Sequence, residues 1–183
     1  YCSGLEAPIQ ALKNLGLEFK HRFSREIDST VRKMIQTNFK PERMYKDVTE
    51  RNNRIAPQVD LYVTGIPCQP LSSAGYLKGM ADSRGTIIHD IIDYLARCRP
   101  KAFLLENVKG FAEFQGGRCM NIILQQIKDI GKTPGSQKYF EKLQLWAGRE
   151  AEQYCEPTGD GSYNVSWRVL NTMQSGIPHN RER

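Results

Sequence analysis

Strand-like and helical segments that alternate along the chain predict an α/β domain built on a doubly wound, mixed sheet. Three observations carry that expectation. Apolar residues recur at helical spacing at Ile9, Leu12 and Leu15, at Ile87, Ile88, Ile91, Ile92 and Leu95, and at Met120, Ile123, Leu124, Ile127 and Ile130. Between them lie short strand-like runs, from Phe23 to Ile27, Val59 to Thr64 and Ala102 to Leu105. Strands separated by helices form βαβ units with right-handed crossovers, and such sheets gather their ligands at the carboxyl ends of the strands.

In the first helix, Pro8 suits the opening turn and Gly16 the C-terminal cap. A second helix is expected from Val31 to Phe39, and a third, from Thr86 to Arg97, forms the crossover between the strands ending at Thr64 and Leu105. The run from Ala102 to Leu105 is apolar at every position, which predicts a parallel strand buried on both faces. Gly131 closes the helix that contains Met120 to Ile130. Residues 132–162 then break the rhythm with Gly, Pro and Ser at their margins and an amphipathic pattern at Phe140, Leu143, Trp146 and Ala147, so they read as an insertion. Tyr163, Val165, Trp167 and Val169 alternate with Asn164, Ser166 and Arg168, which predicts a half-exposed edge strand.

Length and composition bound the function. A chain of 183 residues makes one domain, and 39% apolar with 25% charged residues excludes a disordered or collagen-like chain. Apolar runs stay far below the ~20 residues of a membrane helix, and no signal sequence is visible. Five widely scattered cysteines favour a reducing, intracellular setting over a disulfide scaffold. His21, His89 and His179 lack metal-ligand spacing. The net charge of +6 favours an anionic partner. Tyr1 reads as the end of a strand and Arg183 carries no tail, so the expectation is a partial domain, cut at both ends.

Two strand ends carry the candidate chemistry. One leads into Gly65-Ile66-Pro67-Cys68-Gln69-Pro70 and the other into Glu106-Asn107-Val108-Lys109-Gly110. If a single crossover helix joins them, the strands are neighbours about 4.8 Å apart, and a thiol and a carboxyl group face one pocket. A thiolate can attack, and a nearby carboxylic acid can protonate what is attacked. Taken alone, a cysteine after a strand is more often a small buried hydrophobe, and Glu-Asn there is often turn chemistry.

Pro-Cys-Gln, Glu-Asn-Val and the run Gly176-Ile177-Pro178-His179-Asn180-Arg181-Glu182-Arg183 occur in an order that resembles the motifs of cytosine 5-methyltransferases. The segment Tyr163 to Asn171 is similar to that family's strand before its arginine motif. The resemblance implies a Rossmann-like, S-adenosylmethionine-dependent methyltransferase domain acting on DNA. By this match Cys68 attacks carbon 6 of a flipped-out cytosine, Glu106 holds or protonates ring nitrogen 3, and Arg183 supports the carbonyl oxygen. Gln69, Ser72, Ser73, Asn107 and Arg181 fall on substrate-binding positions, with Lys78 a further phosphate contact on a closing loop from Gly75 to Ser83. Ser3, Gly4, Leu5 and Pro67 fall on cofactor positions, as do Glu26, the acid for the ribose hydroxyls, Ile27 beside it, and Asp47 and Val48 at the adenine. Glu6 departs from the pattern by standing where the family has a glycine, and His179 stands where it has glutamine.

Two further readings remain open: the same chemistry on transfer RNA, and a silent DNA-binding or regulatory module that keeps the fold. The resemblance implies neither a metal nor a membrane. It places the protein with DNA, and hence in a nucleus or another DNA-associated compartment. The family's last strand and target-recognition part fall beyond Arg183, so residues 1–183 alone are expected to be inactive.

Overall fold

The computed structural model describes residues 6–47, 51–65, 87–131 and 163–170. Helix α1 (Ala7–Asn14) starts with Pro8 in its first turn and ends where Gly16 takes φ +66°. That backbone is left-handed, the conformation glycine adopts without steric cost. Strand β1 (Phe23–Arg25) follows, then α2 (Ser29–Asn38). Asp28 caps α2, accepting from the amides of Thr30 at 2.8 Å and Val31 at 3.0 Å. Those two amides hold the Asp28 carboxyl below the usual carboxylate range.

Strand β2 (Arg43–Tyr45) pairs parallel with β1, Arg25 opposite Tyr45. Strand β3 (Leu61–Gly65) pairs parallel with β4 (Ala102–Glu106), Gly65 opposite Glu106. The expected parallel geometry is present. Among the described residues it takes the form of two separate strand pairs and not one continuous doubly wound sheet.

Helix α3 (Ile87–Cys98) leads into β4 and is buried at ten of its twelve positions. A helix so enclosed belongs to the core and not to the surface. After it come α4 (Lys109–Glu113), a short 3₁₀ turn (Phe114–Gly117) and α5 (Arg118–Asp129), which buries Cys119, Ile123 and Ile127. Gly131, at φ +85°, follows as the sequence pattern requires.

An aromatic cluster ties the two strand pairs together. The Tyr94 ring of α3 lies 4.5 Å from Tyr62 of β3 and 5.7 Å, edge on, from Phe23 of β1. Phe23 also meets Tyr45 of β2 at 5.8 Å. Tyr94 is fully buried, and its hydroxyl donates to the Pro57 carbonyl at 2.7 Å. Arg51 lies over the same cluster, 4.4 Å from the Tyr94 ring centroid. Its Nε donates to Asn53 Oδ1 at 2.8 Å, and Asn53 Nδ2 donates in turn to Asp93 Oδ2 at 2.7 Å. The Cys98 and Cys119 thiols are free and buried, and that burial pushes their pKa above the ordinary thiol value.

Three expectations need correction. β4 is not buried on both faces: Leu104 is 58% exposed and Ala102 is exposed, while Phe103 and Leu105 pack toward the core. An apolar run shows that a strand can be enclosed, but the elements packed on each face decide whether it is. Residues 163–170 are not a strand, because no described strand lies alongside to form a ladder. Tyr163 anchors them instead, donating to the Pro100 carbonyl at 2.8 Å with its ring 5.0 Å from Phe103, and Trp167 is 53% exposed. β1 also ends at Arg25, which leaves Glu26 and Ile27 just beyond the strand. The insertion expected at 132–162 lies outside the described residues.

Candidate active site

The register of β3 and β4 sets the site. Gly65 and Glu106 are ladder partners at the carboxyl ends of adjacent strands. Both belong to the alternating set that includes exposed Leu61 and Leu104, so the Glu106 side chain rises from the sheet face opposite the core. A Cβ added to Gly65 would stand 3.2 Å from Glu106 Oε2. The carboxylate therefore leans over the glycine backbone, where any side chain would crowd it. Gly65 is the last described residue before the stretch that holds Pro67 and Cys68. Beside Glu106, Asn107 uses Oδ1 to accept from the Val108 amide at 2.8 Å, while its Nδ2 is buried without a hydrogen-bond partner among the described residues.

The other strand pair presents two acids on one rim. Glu26 follows β1 and is 6% exposed, and its amide donates to the Tyr45 carbonyl at 3.2 Å across the ladder. Its Oε1 accepts from the Asp28 amide at 3.1 Å. Arg32 steadies the turn by donating to the Glu26 carbonyl at 2.9 Å and to that of Ile27. Asp47 stands two residues past the end of β2, one position further on than Glu26 past β1, and the Ile27 side chain is 44% exposed.

Glu6 caps α1 with φ 56° and ψ 38°. A left-handed residue with a Cβ is strained by about 1–2 kcal/mol, which is the physical reason a glycine suits this position. Glu6 is nevertheless 5% exposed, with Oε2 3.9 Å from His21 Nε2, and that nitrogen lies 2.7 Å from Ser24 Oγ. Hydroxyl and carboxylate both approach the same ring nitrogen, so the trio lacks the relay of a hydrolytic triad, which engages the two nitrogens separately.

A left-handed turn entering α1 and a buried acid beyond β1 fit a nucleoside-bearing cofactor such as S-adenosylmethionine. The acid accepts from ribose hydroxyls and the turn permits close backbone approach. The sequence motifs are thus brought to the ends of the strands at Glu106, Asn107, Glu26, Ile27 and Asp47. Ser3, Gly4, Leu5, Val48, Pro67, Cys68, Gln69, Ser72, Ser73, Arg181 and Arg183 lie outside the described residues. The role of Gly65 beneath Glu106 escaped the sequence reading, although a glycine closing one strand beside an acid closing the next is a signal that could have shown it. No group of metal-ligating side chains occurs among the described residues, and none of their helices is long and apolar enough to cross a membrane.

Residues 1–134 match the family model described as C-5 cytosine-specific DNA methylase. Type II methyltransferase M.NgoBI of Neisseria gonorrhoeae is 33% identical over 161 residues, covering 88% of this chain and 41% of the relative. Type II methyltransferase M.NlaX of Neisseria lactamica is 34% identical over 161 residues, covering 88% and 42%. The orphan methyltransferase M.Rho11sI of Bacillus phage rho11s is 30% identical over 183 residues, covering 99% and 30%. The chain spans about two fifths of the length of the first two relatives. These relatives come from bacteria and a phage, which gives no support to the expected nuclear placement.

Proposed function

Because the chain belongs to the C-5 cytosine-specific DNA methylase family, we propose that the protein containing it methylates carbon 5 of cytosine in DNA. The single observation that carries this reading beyond family membership is the pairing of Gly65 with Glu106, which sets the acid beside the start of the segment that bears Cys68. The Cys68 thiolate bonds to carbon 6 of a cytosine turned out of the duplex. Glu106 holds or protonates ring nitrogen 3, and Arg183 supports the carbonyl oxygen, so the electrons displaced by attack make carbon 5 nucleophilic. Glu26, Ile27, Asp47, Val48, Pro67 and the Ser3-Gly4-Leu5 turn would hold S-adenosylmethionine, whose sulfonium would supply the methyl group to carbon 5 and leave as S-adenosylhomocysteine. Loss of the carbon 5 proton then breaks the sulfur–carbon bond and frees both Cys68 and the methylated base. Extruding the base costs a few kcal/mol, and the contacts assigned to Gln69, Ser72, Ser73, Asn107 and Arg181 offset that cost.

The test is methyl transfer by the full-length protein. With duplex DNA and transfer RNA as separate substrates, mass spectrometry should find 5-methylcytosine in the DNA alone. Product only in the RNA would move the chemistry to the other substrate. No product in either, with S-adenosylmethionine bound, would make the domain a silent module.

A further inference from the structure

Glu6 is costly to hold where it stands for two separate reasons. Its backbone is left-handed, at φ 56° and ψ 38°, with a Cβ present. Its carboxylate is buried, and Oε1 has no hydrogen-bond partner among the described residues. Strained backbone persists only where the surroundings over-determine it, and such places cluster at binding sites. A buried acid likewise needs a partner to stay in place.

His21 supplies that partner. Its Nε2 lies 3.9 Å from Glu6 Oε2 and 2.7 Å from Ser24 Oγ. Ser24 is buried in the middle of β1, opposite Met44 of β2. The His21 carbonyl accepts from the Glu42 amide at 2.9 Å, so its main chain and its ring are both held by the β1–β2 pair. With its proton on Nε2, the ring presents one N–H to the Ser24 hydroxyl and to the carboxylate beside it.

Each end of this chain of contacts adjoins an element assigned to the cofactor. The Glu6 carbonyl accepts from the Gln10 amide at 3.0 Å as the first bond of α1, so the Glu6 dihedrals set how the chain enters that helix. Ser24 lies two residues before Glu26, and the ladder continues to Glu26 through its amide on the Tyr45 carbonyl at 3.2 Å. By the two-residue period of a strand, Ser24 and Glu26 share one side of β1.

We propose that Glu6, His21 and Ser24 are positioning residues for the cofactor: His21, anchored on Ser24, holds the Glu6 carboxylate and so keeps the turn into α1 left-handed without a glycine. This rests on the reading of S-adenosylmethionine given above and adds the device by which this chain accommodates Glu6. The three side chains act on the backbone that the cofactor approaches and not on the cofactor itself. Without the clamp, a residue that keeps its Cβ relaxes out of the left-handed form, and only the fraction still left-handed binds. The preference against that form makes the fraction roughly one in 5 to one in 30, and affinity falls by the same factor. Glycine takes left-handed and right-handed backbone about equally, so with glycine there the clamp has nothing to hold.

Calorimetric titration of the full-length protein with S-adenosylmethionine tests this. Glu6→Ala and His21→Leu should each weaken binding about 5–30-fold, and Glu6→Gly by no more than about threefold. His21→Gln, whose amide reaches toward Ser24 as Nε2 does, should restore binding to within about threefold of the unsubstituted protein. Added to Glu6→Gly, His21→Leu should change affinity by less than about twofold more, a non-additivity that a merely structural histidine would not show. Equal losses from His21→Leu with and without Glu6→Gly would overturn the proposal, as would equal affinities for Glu6→Ala and Glu6→Gly. If His21→Leu does not fold, the comparison of Glu6→Ala with Glu6→Gly decides alone. An unsubstituted protein that binds no S-adenosylmethionine would overturn the cofactor reading itself, whereas normal binding without the coupling overturns only the clamp.

Discussion

Replacing Gly65 with alanine separates stability from chemistry, because the two should move in opposite directions. The added Cβ would lie 3.2 Å from Glu106 Oε2, against 3.4–4 Å for ordinary contacts, so the carboxylate must retreat by a few tenths of an ångström. A displacement of 1 Å at a reacting group can cost about a hundredfold in rate. Scaled logarithmically, a retreat of ~0.3–0.5 Å lowers turnover roughly 4–10-fold. The backbone itself tolerates the change, since Gly65 is not among the residues of positive φ. Alanine in a strand is favoured over glycine by about 0.5–1 kcal/mol through the unfolded chain, so the urea midpoint should hold or rise. Single-turnover methyl transfer by the full-length protein reads the first effect and urea unfolding the second. Unchanged turnover in a folded Gly65→Ala protein would show that the position of Glu106 does not matter to the reaction. A fall in stability that matches the fall in rate would show that the contact is only packing.

Further outcomes follow from other parts of the molecule. Glu26→Ala removes the carboxylate assigned to the ribose hydroxyls, and hydrogen bonds to a charged group are worth about 1.5–3 kcal/mol. Titration calorimetry should therefore show S-adenosylmethionine affinity reduced roughly 10–100-fold, and normal affinity would remove Glu26 from the cofactor site. Tyr94→Phe leaves the Pro57 carbonyl without its 2.7 Å donor, and it should lower stability by about 1–2 kcal/mol in urea titrations, with an unchanged midpoint as the contrary result. His89 is buried, and desolvation lowers its pKa from the ordinary histidine value. The unfolded chain then binds the proton more readily, so stability is full above the unfolded pKa near 6.5 and declines as pH falls toward the folded one. His89→Leu should flatten that slope between pH 7 and 5, and an identical slope would place the acid sensitivity elsewhere.

The sequence made α3 and α5 legible because closely spaced isoleucines leave no other period to choose. It also made the adjacency of β3 and β4 legible, since one buried helix leads from the first strand region to the second and such crossovers join neighbours. Burial was harder to read than secondary structure. Nothing within the run Ala102 to Leu105 says which face is covered, and Leu104 proved exposed. The period of two in Tyr163 to Val169 is a property of those residues, whereas a ladder needs a second strand that local pattern does not contain. Arg51 was invisible for the same reason, because its three aromatic neighbours come from positions 23, 62 and 94. At the candidate site, strand-end position singled out Glu106, whereas Glu26 was picked out by its match to the family's acidic residue. The constraint on Gly65 needed the register.

Covalent capture of the base tests the central claim most directly. The full-length protein would be incubated with S-adenosylmethionine and duplex DNA carrying 5-fluorocytosine in place of cytosine. Fluorine at carbon 5 leaves no proton to lose after methyl transfer, so the bond between Cys68 and carbon 6 cannot break. The account predicts a protein–DNA complex that survives denaturation, maps by mass spectrometry to the peptide containing Cys68, and disappears in Cys68→Ser, whose hydroxyl is too weak an acid to replace the thiolate. An equally strong complex with Cys68→Ser would contradict it, as would active methylation of ordinary DNA with no trapped complex at all.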